Sequence, residues 1–313
     1  MVLYSLRRVL AGLALTVLVT LITFLLLSRS FEDMIATILG PDATPEKIAE
    51  TMHARGYDRP LLLQYGEWLG HVIRGDLGVS AYTSLGVGPI VLQRMSVTLS
   101  VIVPALVVSV VLSILLGVWS ASRGGVVDRV AQGISLIGHL IPELLIAIIL
   151  VFVVAVTLHV LPATGFTSLV DSRSAWLRSI TLPAIALIVG GMANITAQIR
   201  GAMIVELRKD YVRTLRTSGL SPRSIVIKHA LRNAGSPALT VMSLEFLALL
   251  SHSVIIENVF ALPGYGSFAF SASLQIDVPV IMGVTLVSVL LVTVVNLAAD
   301  LANGWLNPKA RLH

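Results

Sequence analysis

Between residues 202 and 236 a basic stretch carries Asp210, Tyr211, Arg213, Thr214 and Arg216, followed by Gly219, Leu220 and Ser221. These are groups for gripping another macromolecule. Nothing among them pairs a nucleophile with a base. Residues 203–218 contain no helix breaker, so a helix is expected there, and Gly219 suits the left-handed residue that ends one. With Gly219 just past the cap, a Schellman ending would bring Leu220 against Leu215. Ser221 is a good N-cap and Pro222 sits at the first helical position, where its missing N–H costs nothing. A second helix is expected from Pro222 to about Asn233, closed by Gly235 and Pro237. The pattern is helix, glycine elbow, helix. Held by its caps, such an elbow can transmit force. Two other readings compete: a solvated loop touching lipid headgroups, and a helix-turn-helix for DNA, which the position between two apolar runs disfavours.

A second set lies inside apolar runs. An ionisable group at membrane depth is costly and usually faces a cavity or a partner. Glu245 stands well inside such a run, in a cavity-facing or interhelical position. Glu143 stands near the start of another, placed equally for a cavity or for the headgroups. His159 and His252 have no ligand-spaced neighbour and read as ordinary polar contacts. The chain has no G-x-x-x-x-G-K-[ST] loop, and the dipeptide Gly-Lys does not occur in it. It therefore cannot hold ATP in the P-loop manner, and any ATP energy must come from a separate subunit. H-E-x-x-H and G-x-S-x-G are also absent, which argues against a membrane protease or esterase.

The elements that must position these groups are set by lipid. Of 313 residues, 56% are hydrophobic and 12% charged, about half the charged fraction of a soluble domain. The mean hydropathy is +0.90. There is no cysteine, hence no disulfide or thiolate metal site. A spanning helix needs about 20 mostly apolar residues, and six candidates appear: roughly 9–29, 97–120, 134–158, 181–201, 237–257 and 280–302. The first follows Arg7 and Arg8 and ends in Ser28-Arg29-Ser30 without a small-x-small cleavage site, so it reads as a retained helix. With the N-terminus inside, the inner segments hold 14 of the 22 lysines and arginines, among them Arg123, Arg208, Lys209, Arg223, Lys309 and Arg311. The short outer loop 258–279 has none. Short loops decide topology, so both termini are expected in the cytoplasm, in an all-α inner (plasma) membrane protein. The net charge of +5 then needs no nucleic acid to explain it.

The run Asp210-Tyr211-Val212-Arg213-Thr214, Gly219-Leu220-Ser221, His229-Ala230-Leu231-Arg232-Asn233-Ala234 and Pro237 resembles the "EAA" loop of ABC importer permeases. More narrowly, it resembles the B-type subunit of the dipeptide/oligopeptide permease family. The likeness covers nearly the whole chain: Gly40-Pro41-Asp42-Ala43-Thr44-Pro45-Glu46, Asp58-Arg59-Pro60-Leu61, Gln64-Tyr65 and Arg74-Gly75-Asp76-Leu77-Gly78 near the start. Towards the end come Glu257-Asn258-Val259-Phe260, Pro263-Gly264-Tyr265-Gly266, Asp277 with Pro279, and Asn307-Pro308-Lys309 with Arg311. The sequence departs from the family at Leu215, Thr217 and Ser218, where small residues and a Lys are usual, and at Glu143, where an apolar or small residue is usual.

The resemblance implies a type I ABC importer permease fold of six spans. Residues 1–30 would form the first helix, 31–95 a long external loop or scoop, and 96–313 the core with the coupling loop 202–236. It implies that Asp210, Tyr211, Arg213, Thr214, Arg216, Gly219, Leu220 and Ser221 seat on an ATPase subunit. Glu143 and Glu245, from their place in apolar runs, and Asp277, from the family match, are the candidate pathway residues. Implied partners are a second, homologous permease, two cytoplasmic ATPase domains that bind ATP and magnesium, an extracytoplasmic substrate-binding protein, and membrane lipid. The chain itself would carry no cofactor and no enzymatic activity. Half of a pathway for di- or oligopeptides or similar solutes, worked by alternating access, is the expected function. A secondary transporter is the main alternative, and an ion channel ranks below it, since one Gly-Tyr-Gly is a weak filter signal.

Overall fold

The computed structural model describes residues 2–306, with the side chains of 2–5, 134, 137, 235–239 and 303–306 left out of the description. The Asn307-Pro308-Lys309 and Arg311 matches lie outside the described residues. Thirteen α-helical segments follow in chain order among them, with no β-strand and one bridge pair, Val79–Gly86. In lipid each backbone polar group must bond within its own segment, which favours helices.

Five helices or helix pairs are long and apolar enough to cross a membrane, and six if one bent pair counts as a single span. The straight ones fall within 6–39, 87–123, 173–207, 240–259 and 278–302. The expected third span, 134–158, is not one continuous helix. Gly125–Leu140 (α6) and Glu143–Leu150 (α7), the latter continued by a π-helical Val151–Thr157, meet at 92°. Pro142 sits at the corner with φ −58° and ψ 136°. Its ring also biases the residue before it away from the helical region, so the corner is local in origin.

The chain forms two compact units. The first takes 1–96 together with 264–297, a grouping that cuts across the chain-order division at 30 and 95. Here the stretch after α1 (Val2–Leu27) is helical: α2 (Phe31–Leu39), α3 (Pro45–Ala54) and α4 (Leu61–Ile73). Phe24, Phe31, Met34, Ile35, Tyr65, Val278 and Met282 form its core. The Tyr65 hydroxyl donates to the Val17 carbonyl at 3.0 Å and lies 2.9 Å from Thr20 Oγ1, pinning α4 to α1. Arg59 grips Glu67 with two bonds of 2.8 and 2.7 Å.

The second unit takes 97–263 and, among the described residues, 298–306. Its frame is α8 (Arg173–Leu207) against α11 (Leu231–Val259), with α6, α7 and most of α5 (Val87–Arg123) around them. Asp128 of α6 takes two bonds from Arg200 of α8, 2.5 and 2.7 Å, and a third from Ser120 of α5 at 2.5 Å. One carboxylate thus ties three helices. Gly117 is needed where α5 meets α8, since a Cβ there would stand 3.0 Å from Ile199 Cγ2 and 3.2 Å from the Arg200 backbone nitrogen.

Candidate functional site: the Gly219 elbow and the buried carboxylates

α8 stops at Leu207, and Lys209 turns extended with φ −68° and ψ 151°, so the helix expected over 203–218 is two helices. The break is held by Glu206, which is 5% exposed. Glu206 accepts from Lys209 Nζ at 2.5 Å and from the Tyr211 hydroxyl at 3.0 Å. Bonding to Glu206 raises the Lys209 pKa, and burial raises that of the Tyr211 phenol. The sequence left Glu206 unassigned. Its i,i+3 spacing to Lys209 was the available signal.

α9 (Asp210–Thr217) then ends as its residues dictate. Gly219 has φ +79°, its N–H bonds the Arg216 carbonyl at 3.1 Å, and the Leu220 N–H bonds the Leu215 carbonyl at 3.2 Å. That pair of bonds is the Schellman ending. Ser221 Oγ accepts from the Ser224 N–H at 3.3 Å and Pro222 opens the next helix, α10 (Pro222–Ser224). α10 passes through a π-helical Ile225–Ala230 into α11. The expected stop at Gly235 and Pro237 does not occur, because α11 runs unbroken from Leu231 to Val259. A proline inside a helix removes one backbone bond, which an apolar segment packed among other helices tolerates.

Val212 and Ile225 bury the inner face of the elbow, while Asp210, Arg213, Thr214, Arg216 and Ser221 are exposed. Asp210 and Arg213 stand 3.7 Å apart with both side chains at least 80% exposed. Such a pair contributes roughly 0–1 kcal/mol, so its charges remain available to a partner. The candidate coupling residues are therefore one short, doubly capped surface element with an apolar underside.

Glu143 and Glu245 come together on α8. A Cβ on Gly190 would meet Glu143 Oε1 at 2.3 Å, and one on Gly191 would meet Glu245 Oε1 at 2.6 Å. The adjacent glycines form a notch that admits one carboxyl from α7 and one from α11. Glu143 pairs with His252 Nδ1 at 2.9 Å, and Glu245 accepts from Asn194 Nδ2 at 3.4 Å. The Ser109 hydroxyl, fully buried and without a hydrogen-bond partner, would lie 3.7 Å from the same Gly191 Cβ. Gly190, Gly191, His252, Asn194 and Ser109 carry no sequence signature for this cluster. His252 does make a polar contact, though with a residue 109 positions away.

Asp277 belongs elsewhere. It is 3% exposed, accepts from Ser80 Oγ at 2.6 Å and from the Ala81 N–H at 3.2 Å, and caps α13 (Val278–Leu306) through the Val280 N–H at 3.5 Å. Both its oxygens are engaged within the first unit, where it tethers the 80–83 turn. Among the described residues no cluster of three or more His, Cys, Asp or Glu could hold a metal ion.

A bundle of lipid-length helices, with a rigid surface elbow and no nucleotide loop, defines a membrane transport component worked by something outside itself. Residues 109–312 match the family model described as binding-protein-dependent transport system inner membrane component, and residues 1–102 match its N-terminal companion. The chain belongs to this family of ABC importer permeases. It is 35% identical over 309 residues to the probable peptide ABC transporter permease protein y4tP of Sinorhizobium fredii, covering 98% of this chain and 99% of the relative. It is 35% identical to the di/tripeptide transport system permease protein DppB of Pseudomonas aeruginosa, covering 94% of each. The dipeptide transport system permease protein DppB of Bacillus subtilis is 33% identical, covering 99% of this chain and 98% of the relative. Among solved structures, a chain of the inward-facing MetNI methionine ABC transporter matches with a TM-score of 0.55 and 17% identity, covering 70% of this chain and 96% of that one. That likeness shows the fold. The chain is thus a multi-pass inner-membrane permease that implies ATPase and substrate-binding partners, and it is not itself the hydrolysing enzyme.

Proposed function

We propose that this chain forms half of the translocation pathway of an importer for di- or oligopeptides, beside a second, homologous permease. Each permease engages one of two ATPase domains that bind ATP and magnesium. The peptide assignment rests on the names of relatives alike over nearly the full length. Both termini lie in the cytoplasm on this reading, as the basic residues of the short loops require. The elbow at 210–221 then faces the cytoplasm, and 31–95 faces the binding protein.

The observation that carries the reading is the doubly capped turn at Gly219, whose exposed face is charged and whose underside is anchored by Val212, Ile225 and the Glu206–Tyr211 bond. A turn so built moves as a body. When ATP closes the ATPase pair, the elbow is carried with it, and α8 and α11, which leave it on either side, pivot. Differential affinity of ATP and solute for the inward and outward states sets the direction of the cycle. On this reading Glu143 and Glu245, packed against Gly190 and Gly191, line the pathway when the helices move, and they offer carboxylates to a solute's amine.

The test is reconstitution of this permease with its partner permease and ATPases. ATP-dependent peptide uptake that requires the binding protein is expected, and Glu245→Ala should lower it. Assembly with ATPases but no peptide uptake would overturn the substrate. Failure to retain any ATPase would overturn the mechanism.

A further inference from the structure

Arg200, Lys209 and Arg213 each have a carboxylate partner, Asp128, Glu206 and Asp210 respectively. Arg123, Arg216 and Arg223 have none among the described residues, yet all three line a single cavity of about 670 Å³. The same cavity is walled by Leu115, Trp119 and Ile227, which are 62%, 52% and 50% exposed. Its location follows from the helices. α5 carries no charged residue between Arg94 and its end at Arg123, one turn beyond Trp119, and the opposite wall is the helix that leaves the elbow. Tryptophan with arginine at the end of a spanning helix marks the headgroup level of a bilayer.

An apolar floor under three unpaired guanidinium groups calls for an amphiphile whose head carries net negative charge. A zwitterionic head brings its own cation and leaves the arginines uncompensated. Guanidinium groups take phosphate oxygens in pairs, with a geometry a lysine cannot offer. Basic pockets between spanning helices bind anionic headgroups by this logic. We propose that the cleft is a site for one anionic phospholipid, its phosphate held by Arg123, Arg216 and Arg223 and its acyl chain lying along Leu115, Trp119 and Ile227. Bound there, the lipid bridges the end of α5 to the elbow, so membrane charge bears on the element that meets the ATPase. The site follows from the cavity and its charges and does not depend on what the importer carries.

The test uses the assembled importer in nanodiscs holding equal phosphatidylglycerol and phosphatidylcholine, with retained lipid counted by native mass spectrometry. The wild-type complex should retain phosphatidylglycerol in preference to phosphatidylcholine. Arg123→Gln with Arg223→Gln should reduce that preference on the order of tenfold at low salt. Arg123→Lys with Arg223→Lys keeps the charge but loses the paired geometry, and should retain a preference between those of the wild type and the Gln variant. A photoreactive side chain replacing Ile227, with the arginines intact, should cross-link to phosphatidylglycerol. The proposal is overturned by equal retention of the two lipids, by an unchanged preference in the Gln variant, or by Ile227 cross-linking to an ATPase or permease chain in place of lipid.

Discussion

At Gly219 the backbone has φ +79° and a Cβ would meet nothing within 4 Å. At Gly190 and Gly191 the backbone is ordinary helix, and a Cβ would strike carboxylate oxygens at 2.3 and 2.6 Å. The first glycine is required by conformation in open space, the second two by space in an ordinary conformation. A side chain at Gly219 strains a turn and leaves the core untouched. A side chain at Gly190 leaves the helix intact and expels a buried partner. The proposed coupling element and the proposed pathway residues are thus separable, because the two glycine sites fail for different reasons.

Six substitutions at four positions probe that separation. The largest effect on stability is expected from Gly190→Val, since the Glu143 Oε1, Cδ and Cγ atoms all lie within 3.0 Å of the new Cβ. Overpacking of this kind costs about 3 kcal/mol, read as a lower unfolding midpoint of the purified protein. In a double-mutant cycle, Glu143→Ala should recover part of the loss of Gly190→Ala, with a coupling of roughly 0.5–3 kcal/mol; additive losses would mean there is no notch. Gly219→Val comes next, at about 2 kcal/mol of local strain. Its signature is reversed: insertion survives and the unfolding midpoint falls less than for Gly190→Val, while ATPase stimulation and uptake fall more. Gly219→Asn should keep most of the coupling, because Asn tolerates the left-handed region far better; if Asn and Val were equally damaging, chemistry rather than φ would be at stake. Smallest is Arg213→Ala, where loss of an exposed pair changes stability by no more than about 0.5 kcal/mol. A drop in ATP-driven uptake without that change would assign the charge to the partner.

The two regions were also unequally legible. The capping bonds of the elbow join residues no more than five apart, as in Leu220 to Leu215 and Ser221 to Ser224, so the order of Gly, Ser and Pro was enough to place the turn. The carboxylate cluster joins Glu143 to His252 and Asn194 to Glu245. No local pattern encodes such pairings, and cost at membrane depth could flag the two acids without naming their partners. Asp277 entered only through the resemblance; its place before Val278-Pro279, at a helix start, is a local capping signal, whereas its bonds to Ser80 and Ala81 have none. The span expected over 134–158 is broken at Pro142, whose restriction of both neighbours makes a corner. Pro237 was read as a stop and is carried inside α11, where surrounding helices outweigh local propensity.

The central claim is that an ATPase grips the Gly219 elbow. The chain has no cysteine, so a single one can be placed at exposed Thr217, and another, in a separate variant, at exposed Ser174 near the start of α8. α8 has 35 residues, about 50 Å at 1.5 Å per residue, so the two sites lie at opposite ends of it. With a photoactivatable maleimide on the assembled importer, the account predicts that Thr217→Cys cross-links to the ATPase, to a degree that changes when ATP binds, and that Ser174→Cys does not. An ATPase that co-purifies but never cross-links at residue 217, or that cross-links equally at 174, would contradict it.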